Sequence, residues 1–234
     1  MPNAPRWTVF AFLGVACLVL SAPALAQIPP SQQEIAAYRG LHAAAASGDA
    51  AEIKRLAATG GSLNIRDGQG RTPLMVAAFQ RHVEAARELI QAGADLNLLE
   101  NQAYDVITIA SVLDDLQMVK LAIASGGDTR AVTSPYKGTA LIAAAHLGHA
   151  DVVAALIAGK APPDHVNNLG WTALIEAIVL GDGGARHQAT VDALIRGGAD
   201  LNLSDRQGVR PLSLARSRGH GKIAEMLEQA GAKP

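Results

Sequence analysis

Four side chains in this sequence could do chemistry. His146 and His149 stand three residues apart and could share a metal ion, since imidazole is a common metal ligand. Asp114 and Asp115 are adjacent carboxylates that could attract a cation. A catalytic site would also need a nucleophile beside a base, and neither a Gly-x-Ser-x-Gly nor a His-Glu-x-x-His sequence occurs. A metal-dependent protein or enzyme that uses these four residues is therefore an alternative interpretation, and we expect no cofactor and no bound metal.

The first 26 residues have the organisation of a secretory signal peptide. Arg6 supplies positive charge, the run from Val9 to Leu20 is apolar, and Ala24-Leu25-Ala26 provides the small residues that signal peptidase accepts. The run is shorter than the roughly 20 residues that span a membrane. We therefore expect cleavage between Ala26 and Gln27 and export to a bacterial periplasm. An uncleaved anchor, which would favour a structural role in tethering the cell envelope, and lipidation at Cys17 are the alternatives.

Cysteine content and charge exclude several functions for the exported chain. Cys17 is the only cysteine, so no disulfide, metal thiolate or cysteine nucleophile remains after cleavage. The 20 Lys and Arg residues nearly balance the 21 Asp and Glu residues, which gives a net charge of −1, and no basic cluster of five or more occurs. We therefore predict no nucleic-acid binding and, after cleavage, no membrane attachment.

A leucine-like position recurs along the chain at steps of 33, 33, 34, 33 and 38 residues. A fixed period of this length indicates a stack of supersecondary units, each contacting its neighbours. Six units fit, after a short extended lead-in at residues 27–35: residues 36–66, 67–99, 100–133, 134–166, 167–204 and 205–234. The recurring positions are Leu41, Leu74, Ile107, Leu141, Leu174 and Leu212.

The second unit shows how each repeat is built. Asp67 to Gly70 is typical of a tight turn, and Thr72 followed by Pro73 is typical of a helix N-terminus. A second helix is predicted over Val83 to Gln91, and Gly93 is suited to the left-handed residue that ends it.

This pattern resembles the ankyrin repeat. The resemblance covers nearly the whole exported chain and implies an all-α solenoid of about six helix–turn–helix units, joined by hairpin-like loops in a curved stack. It also implies that His82, His149 and His220, which stand at one repeat position, cap and cross-link helices. The residues that carry it include Arg71-Thr72-Pro73-Leu74, Gly138-Thr139-Ala140-Leu141, Trp171-Thr172-Ala173-Leu174, Gly93-Ala94-Asp95-Leu96-Asn97 and Gly198-Ala199-Asp200-Leu201-Asn202.

Three departures from the pattern lead to structural expectations. Unit three lacks the Thr-Pro pair and has Asp114-Asp115 between its helices, so we expect it to be the least regular unit and the first to fray. Lys137 replaces a turn glycine, whose role we assign to Gly138. Unit five carries five extra residues within Gly181 to Gln188, which we interpret as a flexible loop that is either tolerated or contacts a partner.

The resemblance also implies where a partner binds. In ankyrin proteins, the turn tips and the ends of the first helices are exposed and variable, and the predicted aromatic anchors at such positions are Phe79, Tyr104, Tyr136 and Trp171. The predicted apolar neighbours are Val112, Leu113, Leu147, Val179 and Leu180, with polar contacts from Arg71, Gln80, Lys137, His146 and Arg206. The alternative is that these apolar groups pack against neighbouring loops within the stack.

The leading hypothesis for function is a non-enzymatic, monomeric protein of the periplasm that binds a protein partner through its concave face. Exported bacterial ankyrin proteins include some that protect against oxidative stress alongside a catalase and others that neutralise a toxin. The sequence does not choose between these two roles.

Overall fold

The structure, a computed structural model, describes residues 27–234, so the predicted signal peptide lies outside the described residues. Within residues 27–234 all regular structure is helical, which confirms the all-α prediction. None of these helices is long and apolar enough to cross a membrane. The helices are α1 (Gln32–Ala37), α2 (Gly40–Ser47), α3 (Ala50–Ala57), α4 (Pro73–Phe79), α5 (Val83–Gln91), α6 (Val106–Val112), α7 (Leu116–Ala124), α8 (Ala140–Leu147), α9 (Ala150–Ala158), α10 (Ala173–Val179), α11 (Ala185–Arg196), α12 (Pro211–Ser217) and α13 (Gly221–Gln229).

The helices form two rows. The first helices of successive units, α2, α4, α6, α8, α10 and α12, contact one another in that order. The second helices, α3, α5, α7, α9, α11 and α13, form the other row, and each also packs on the first helix of its own unit. Every unit therefore contacts its neighbours through both rows, which is the organisation of a solenoid.

The core lies between the two rows and consists mainly of alanine, leucine, isoleucine and valine. Leu74, Leu141 and Leu174, at the recurring leucine position, are completely buried. Burial of such a side chain contributes roughly 1.5–3 kcal/mol. The alanines beside them, such as Ala77 and Ala144, are also completely buried and let neighbouring helices approach closely.

Side-chain caps begin most of the first helices. The hydroxyl oxygens of Thr72, Thr139 and Thr172 each accept a hydrogen bond from the backbone amide three residues later. In unit three, Asp105 makes the same contact with Thr108, and Asp115 caps the second helix through Met118. The helices of unit three are therefore as long as those of unit two, and the expectation that unit three would be the least regular is wrong because aspartates replace the missing caps.

The N-terminal lead-in is not wholly extended as predicted. Ser31 and Glu34 form a reciprocal capping box that starts α1: the Ser31 hydroxyl accepts from the Glu34 amide, and the Glu34 carboxylate accepts from the Ser31 amide. This arrangement satisfies two amides at a helix N-terminus. The chain thus begins its packing with a short helix ahead of unit one.

Two turn predictions are also corrected. Lys137 itself adopts the left-handed conformation, with φ of 53°, so Gly138 does not take over that role. The insert of unit five is not a loop throughout, since Ala185 to Gln188 form the first turn of α11. Its remaining residues include Asp182, which accepts from the Gly184 amide and lies 2.8 Å from Nδ1 of His187.

Histidines cross-link neighbouring units as the resemblance implies. A ring nitrogen of His82 lies 3.2 Å from the Ala46 carbonyl oxygen, and one of His149 lies 2.8 Å from that of Ser111. His187, which belongs to the insert, makes the matching contact with the His146 carbonyl oxygen at 3.1 Å. His220 departs from the expectation, because its Nε2 atom is buried without a hydrogen-bond partner in the described chain. In unit five, His187 of the insert therefore provides the cross-link to the preceding unit.

Candidate functional site

Four of the predicted partner-binding residues are buried rather than exposed. Phe79, Tyr104 and Val179 are each less than a tenth exposed, and Arg71 is completely buried. Phe79 and Tyr104 belong to the continuous hydrophobic core. Burial also raises the pKa of Tyr104, with a smaller contribution from the nearby Glu100 carboxylate. The prediction of an exposed position is therefore wrong for these four residues.

Arg71 is buried because it holds the N-terminal segment on unit two. Its guanidinium donates to Asp67 Oδ2 at 2.7 Å, to the Glu34 carboxylate, and to the Ile28 carbonyl oxygen at 3.1 Å. The Tyr38 hydroxyl also donates to Asp67, at 2.6 Å. We call Arg71, Asp67, Glu34 and Tyr38 the N-terminal network. Its role is structural, since Arg71 has no free surface for a partner.

The electrostatics of this network follow from its hydrogen bonds. Burial would raise the pKa of Asp67, but the hydrogen bonds from Tyr38 and Arg71 lower it overall. Hydrogen bonds from Ser31 lower the pKa of Glu34, and Arg71 adds to that effect. Both carboxylates are thus held in their charged form beside a guanidinium that stays protonated.

The other predicted residues reach the surface. Gln80, Val112, Leu113, His146 and Trp171 are half-buried. Tyr136, Lys137, Leu147, Leu180 and Arg206 are exposed. Arg206 is already engaged with the neighbouring turn, because its guanidinium donates to the Asn168 carbonyl oxygen.

The loops between units carry apolar residues that sequence reasoning missed. Most of the exposed large apolar side chains in residues 27–234 lie there, which contrasts with the polar composition usual for turns. Their signal in the sequence is an apolar residue within two positions of the first turn residue of a unit. We call the exposed apolar set in these loops the loop strip: Ile65, Leu99, Val132, Tyr136, Val166 and Leu169.

Hydrogen bonds between neighbouring turns position the loop strip. The Asn101 amide donates to the Gln69 carbonyl oxygen at 3.0 Å, and the Asn168 amide donates to that of Tyr136 at 2.9 Å. The turn glycine Gly70 has φ of 77°, and a Cβ added there would lie 2.4 Å from the Asn101 side chain. The turns of these neighbouring units thus sit close together, and the loops that carry the strip follow one another along the stack.

The alternative metal site is not assembled in the described structure. Asp115 is used as a helix cap, and Asp114 lies 3.9 Å from His149, whose ring nitrogen already contacts the Ser111 carbonyl. His146 lies instead beside Glu176 of the next unit, with 3.3 Å between Nδ1 and Oε2. No group of three or more His, Cys, Asp or Glu residues in the described range could hold a metal ion. The four residues therefore do not converge.

Comparison with known proteins agrees with this architecture. A family model described as ankyrin repeats (3 copies) matches residues 24–100 and 107–205, so the chain belongs to the ankyrin-repeat family. It is 37% identical over 190 residues to the putative ankyrin repeat protein YahD of Escherichia coli K12. These 190 residues cover 81% of this chain and 94% of that protein.

Two solved structures show the same fold. An ankyrin repeat domain from Acinetobacter baumannii has 42% sequence identity and a TM-score of 0.78, with 82% of this chain and 98% of that chain covered. A chain in the complex of a predatory endopeptidase of Bdellovibrio bacteriovorus with an immunity protein has 27% identity and a TM-score of 0.69, with the same coverage. Ankyrin repeats are protein-interaction modules, so these likenesses make a partner-binding role plausible.

Proposed function

We propose that this protein is a non-enzymatic interaction module of the bacterial periplasm that binds one protein partner through its loop strip. The observation that carries the proposal is the concentration of exposed apolar side chains in the loops. Val132 is 47% exposed, Val166 50% and Leu169 41%. Single exposed apolar residues are normal, but their recurrence in successive loops of one stack supports an interaction site there. A few anchors, most often Trp, Tyr or Arg, supply most of the binding energy at protein interfaces, and Tyr136 is the aromatic residue of the strip.

The ends of the first helices extend this surface. Leu147 and Leu180 lie at the C-terminal ends of α8 and α10, which are neighbours in the first-helix row, and both are exposed. Tyr136 belongs to the turn of the same unit as α8. We propose that these three residues of the predicted concave face contact the same partner as the loop strip, which runs from Ile65 in unit one to Leu169 in unit five.

Neutralisation of a toxic exported enzyme is the more specific role that we propose. The likeness to a chain in the complex of a bacterial endopeptidase with an immunity protein supports it. A role in oxidative-stress protection, the other role that the sequence allows, has no matching support.

The test of the binding surface is a triple variant of the loop strip, V132S/Y136S/L169S. Tagged protein is exported in its own host, partners are recovered by cross-linking, and the affinity of each purified partner is then measured by calorimetry. We expect the triple variant to lose at least tenfold in affinity, about 1.4 kcal/mol, with an unchanged melting temperature. The matched control changes three exposed polar residues of the second-helix row, as Q91A/K120A/Q229A. Equal affinity of the loop-strip variant and the wild type would show that the loop strip is not the binding surface.

The test of location is mass spectrometry of the exported chain. A mature chain that starts at Gln27 supports periplasmic export. An uncleaved chain in the membrane fraction would favour the envelope-tethering alternative instead.

A further inference from the structure

Glu176 is a charged residue at a position that the repeat otherwise fills with apolar side chains. It lies on α10, four residues after the capping Thr172. The corresponding position, four residues after the N-cap residue of the first helix, is apolar in the other five units. Packing of the first-helix row therefore does not require a carboxylate there, and the residues that replace it are Ala43, Val76, Ile109, Ala143 and Leu214.

The carboxylate of Glu176 is only partly satisfied. Its Oε1 accepts a hydrogen bond from Asn167 Nδ2 at 2.8 Å. Its Oε2 is buried and has no hydrogen-bond partner in the described part of the chain, and only 5% of the side chain is exposed. A carboxylate oxygen left in this state is destabilising, because it has lost its water without gaining a full partner. The Asn167 hydrogen bond gives Oε1 a structural role, but no such hydrogen bond accounts for Oε2.

The ion-pair neighbours of Glu176 in the described chain include no lysine or arginine. Within the described residues, its ion-pair neighbour is His146, whose Nδ1 lies 3.3 Å from Oε2 and whose side chain is 38% exposed. No lysine or arginine lies within ion-pair distance among the salt bridges of residues 27–234. A half-exposed histidine can change rotamer at little cost, which would connect Oε2 to the surface beside Leu147 and Leu180.

We propose that Glu176 anchors a positively charged side chain, arginine or lysine, of the protein partner. The inference rests on the proposed function, since it assigns a recognition contact within the same surface. The incoming cation completes the hydrogen bonding of Oε2, and His146 turns aside to admit it. A charge-assisted hydrogen bond in a site shielded from water gives specificity as well as affinity.

The test uses the full-length protein purified after export and two small probes, N-acetyl-arginine amide and its neutral isostere N-acetyl-citrulline amide. At roughly millimolar concentration, we expect the arginine probe to shift the NMR signals of His146 and of the Glu176 amide in a saturable way. The citrulline probe should leave them unchanged, and E176Q should abolish the shifts. Equal shifts with both probes, no saturable shift, or shifts that survive E176Q would each overturn the proposal.

Melting temperatures separate this role from a structural one. E176Q keeps a side-chain oxygen that can accept from Asn167 Nδ2 and removes the carboxylate, so we expect a melting temperature equal to or above that of the wild type. A structural ion pair would instead make E176Q and H146A both less stable, which would contradict the proposal. If the loop-strip variant loses its partner while the arginine probe fails to bind, the proposed function stands and this inference fails. If the probe binds but the loop-strip variant keeps its partner, the assignment of the loop strip as the binding surface is wrong instead.

Discussion

Between units two and three, the Asn101 amide donates to the Gln69 carbonyl oxygen, and between units four and five the Asn168 amide donates to that of Tyr136. Between units three and four, the corresponding residue is Pro135, which has no amide hydrogen to donate. The same turn-to-turn hydrogen bond therefore cannot form at the middle of the stack.

A second ladder of hydrogen bonds shows the same difference. Asn64 Oδ1 accepts from the Asp95 amide at 3.0 Å, and Asn97 Oδ1 accepts from the Asp128 amide at 2.9 Å. Later junctions repeat the contact, from Asp200 to Asp164 and from Lys233 to Asn202. At the junction of units three and four the corresponding residues are Arg130 and Pro162, of which the first has no acceptor in its side chain and the second has no donor.

The helices of the same junction are well connected. The His149 ring contacts the Ser111 carbonyl oxygen, and the Thr129 hydroxyl donates to the Gly159 carbonyl oxygen at 2.7 Å. The missing turn bond would join the loops that carry Leu99 and Tyr136, and the missing ladder bond would join the loops that carry Val132 and Val166. Each pair of loops keeps the other bond, from Asp128 to Asn97 in the first pair and from Asn168 to Tyr136 in the second. The comparison teaches that units three and four are joined mainly through their helices and the Thr129 contact, so we expect their loops to be the ones that adjust to a partner.

The largest expected effect comes from breaking the N-terminal network at the junction of units one and two. Arg71→Met leaves the buried Asp67 carboxylate without its guanidinium, so we expect a loss of about 3 kcal/mol in the free energy of unfolding, measured in urea. Arg81→Met is the matched control, since Arg81 is exposed and its guanidinium donates to one carbonyl oxygen, that of Leu113. Its cost should stay below about 1 kcal/mol. Equal costs for the two variants would show that the N-terminal network adds nothing to this junction.

Acid should loosen the same junction selectively. The pKa values of Glu34 and Asp67 are lowered in the folded protein, so their stabilisation is present above the unfolded-state pKa of about 4. It is lost as pH falls through the lower folded-state values. We expect the Tyr38 amide, which is bonded to the Glu34 carbonyl, to lose hydrogen-exchange protection at low pH before the amides of α13 do. Simultaneous loss at both ends would contradict this.

An intermediate effect is expected from removing one rung of the second ladder. Asn97→Ala deletes the acceptor of the Asp128 amide and should cost about 1 kcal/mol in the free energy of unfolding. Arg130→Ala changes the corresponding residue of the next junction, where no such bond exists, and should leave stability within about 0.5 kcal/mol. If both variants lost the same stability, the contrast between these junctions would be wrong.

The smallest effect is expected from repairing the middle junction. The double variant R130N/P162D supplies both the missing acceptor and the missing amide. Its gain in stability should be below about 1 kcal/mol, because replacing a proline increases the entropy of the unfolded chain. Hydrogen exchange gives the sharper measurement, since the amide at position 162 should become protected as the Asp128 amide is in the wild type. Rapid exchange at position 162 would show that the loops are too far apart to pair.

Much of the fold could be predicted because its signals are local. Thr72 followed by Pro73 specifies a helix start within a few residues, and the predicted second helix from Val83 to Gln91 matches α5. The capping role of Asp105 was missed for a different reason. An aspartate caps a helix as well as a threonine does, so departure from the family pattern did not mean departure from the structure.

The candidate site was less predictable. Arg71 and Tyr104 precede the helix start in their units, and both were predicted from the sequence to be exposed and to contact a partner. The structure shows that this position is buried in both, by ion pairs in one case and by the hydrophobic core in the other. The role of the insert was likewise hidden, because His187 reaches His146 only once the first turn of α11 has formed.

The sequence by itself determined the repeat, most of the helical segments and their caps, since these depend on contacts within one unit. The tertiary structure decided which side chains are exposed, which carbonyl oxygen each histidine contacts, and where neighbouring units lack cross-links. These contacts join residues about one unit apart in the chain, such as Arg71 with Glu34 and His146 with Glu176. Their geometry is set by how two units pack, which the pattern within either unit does not contain.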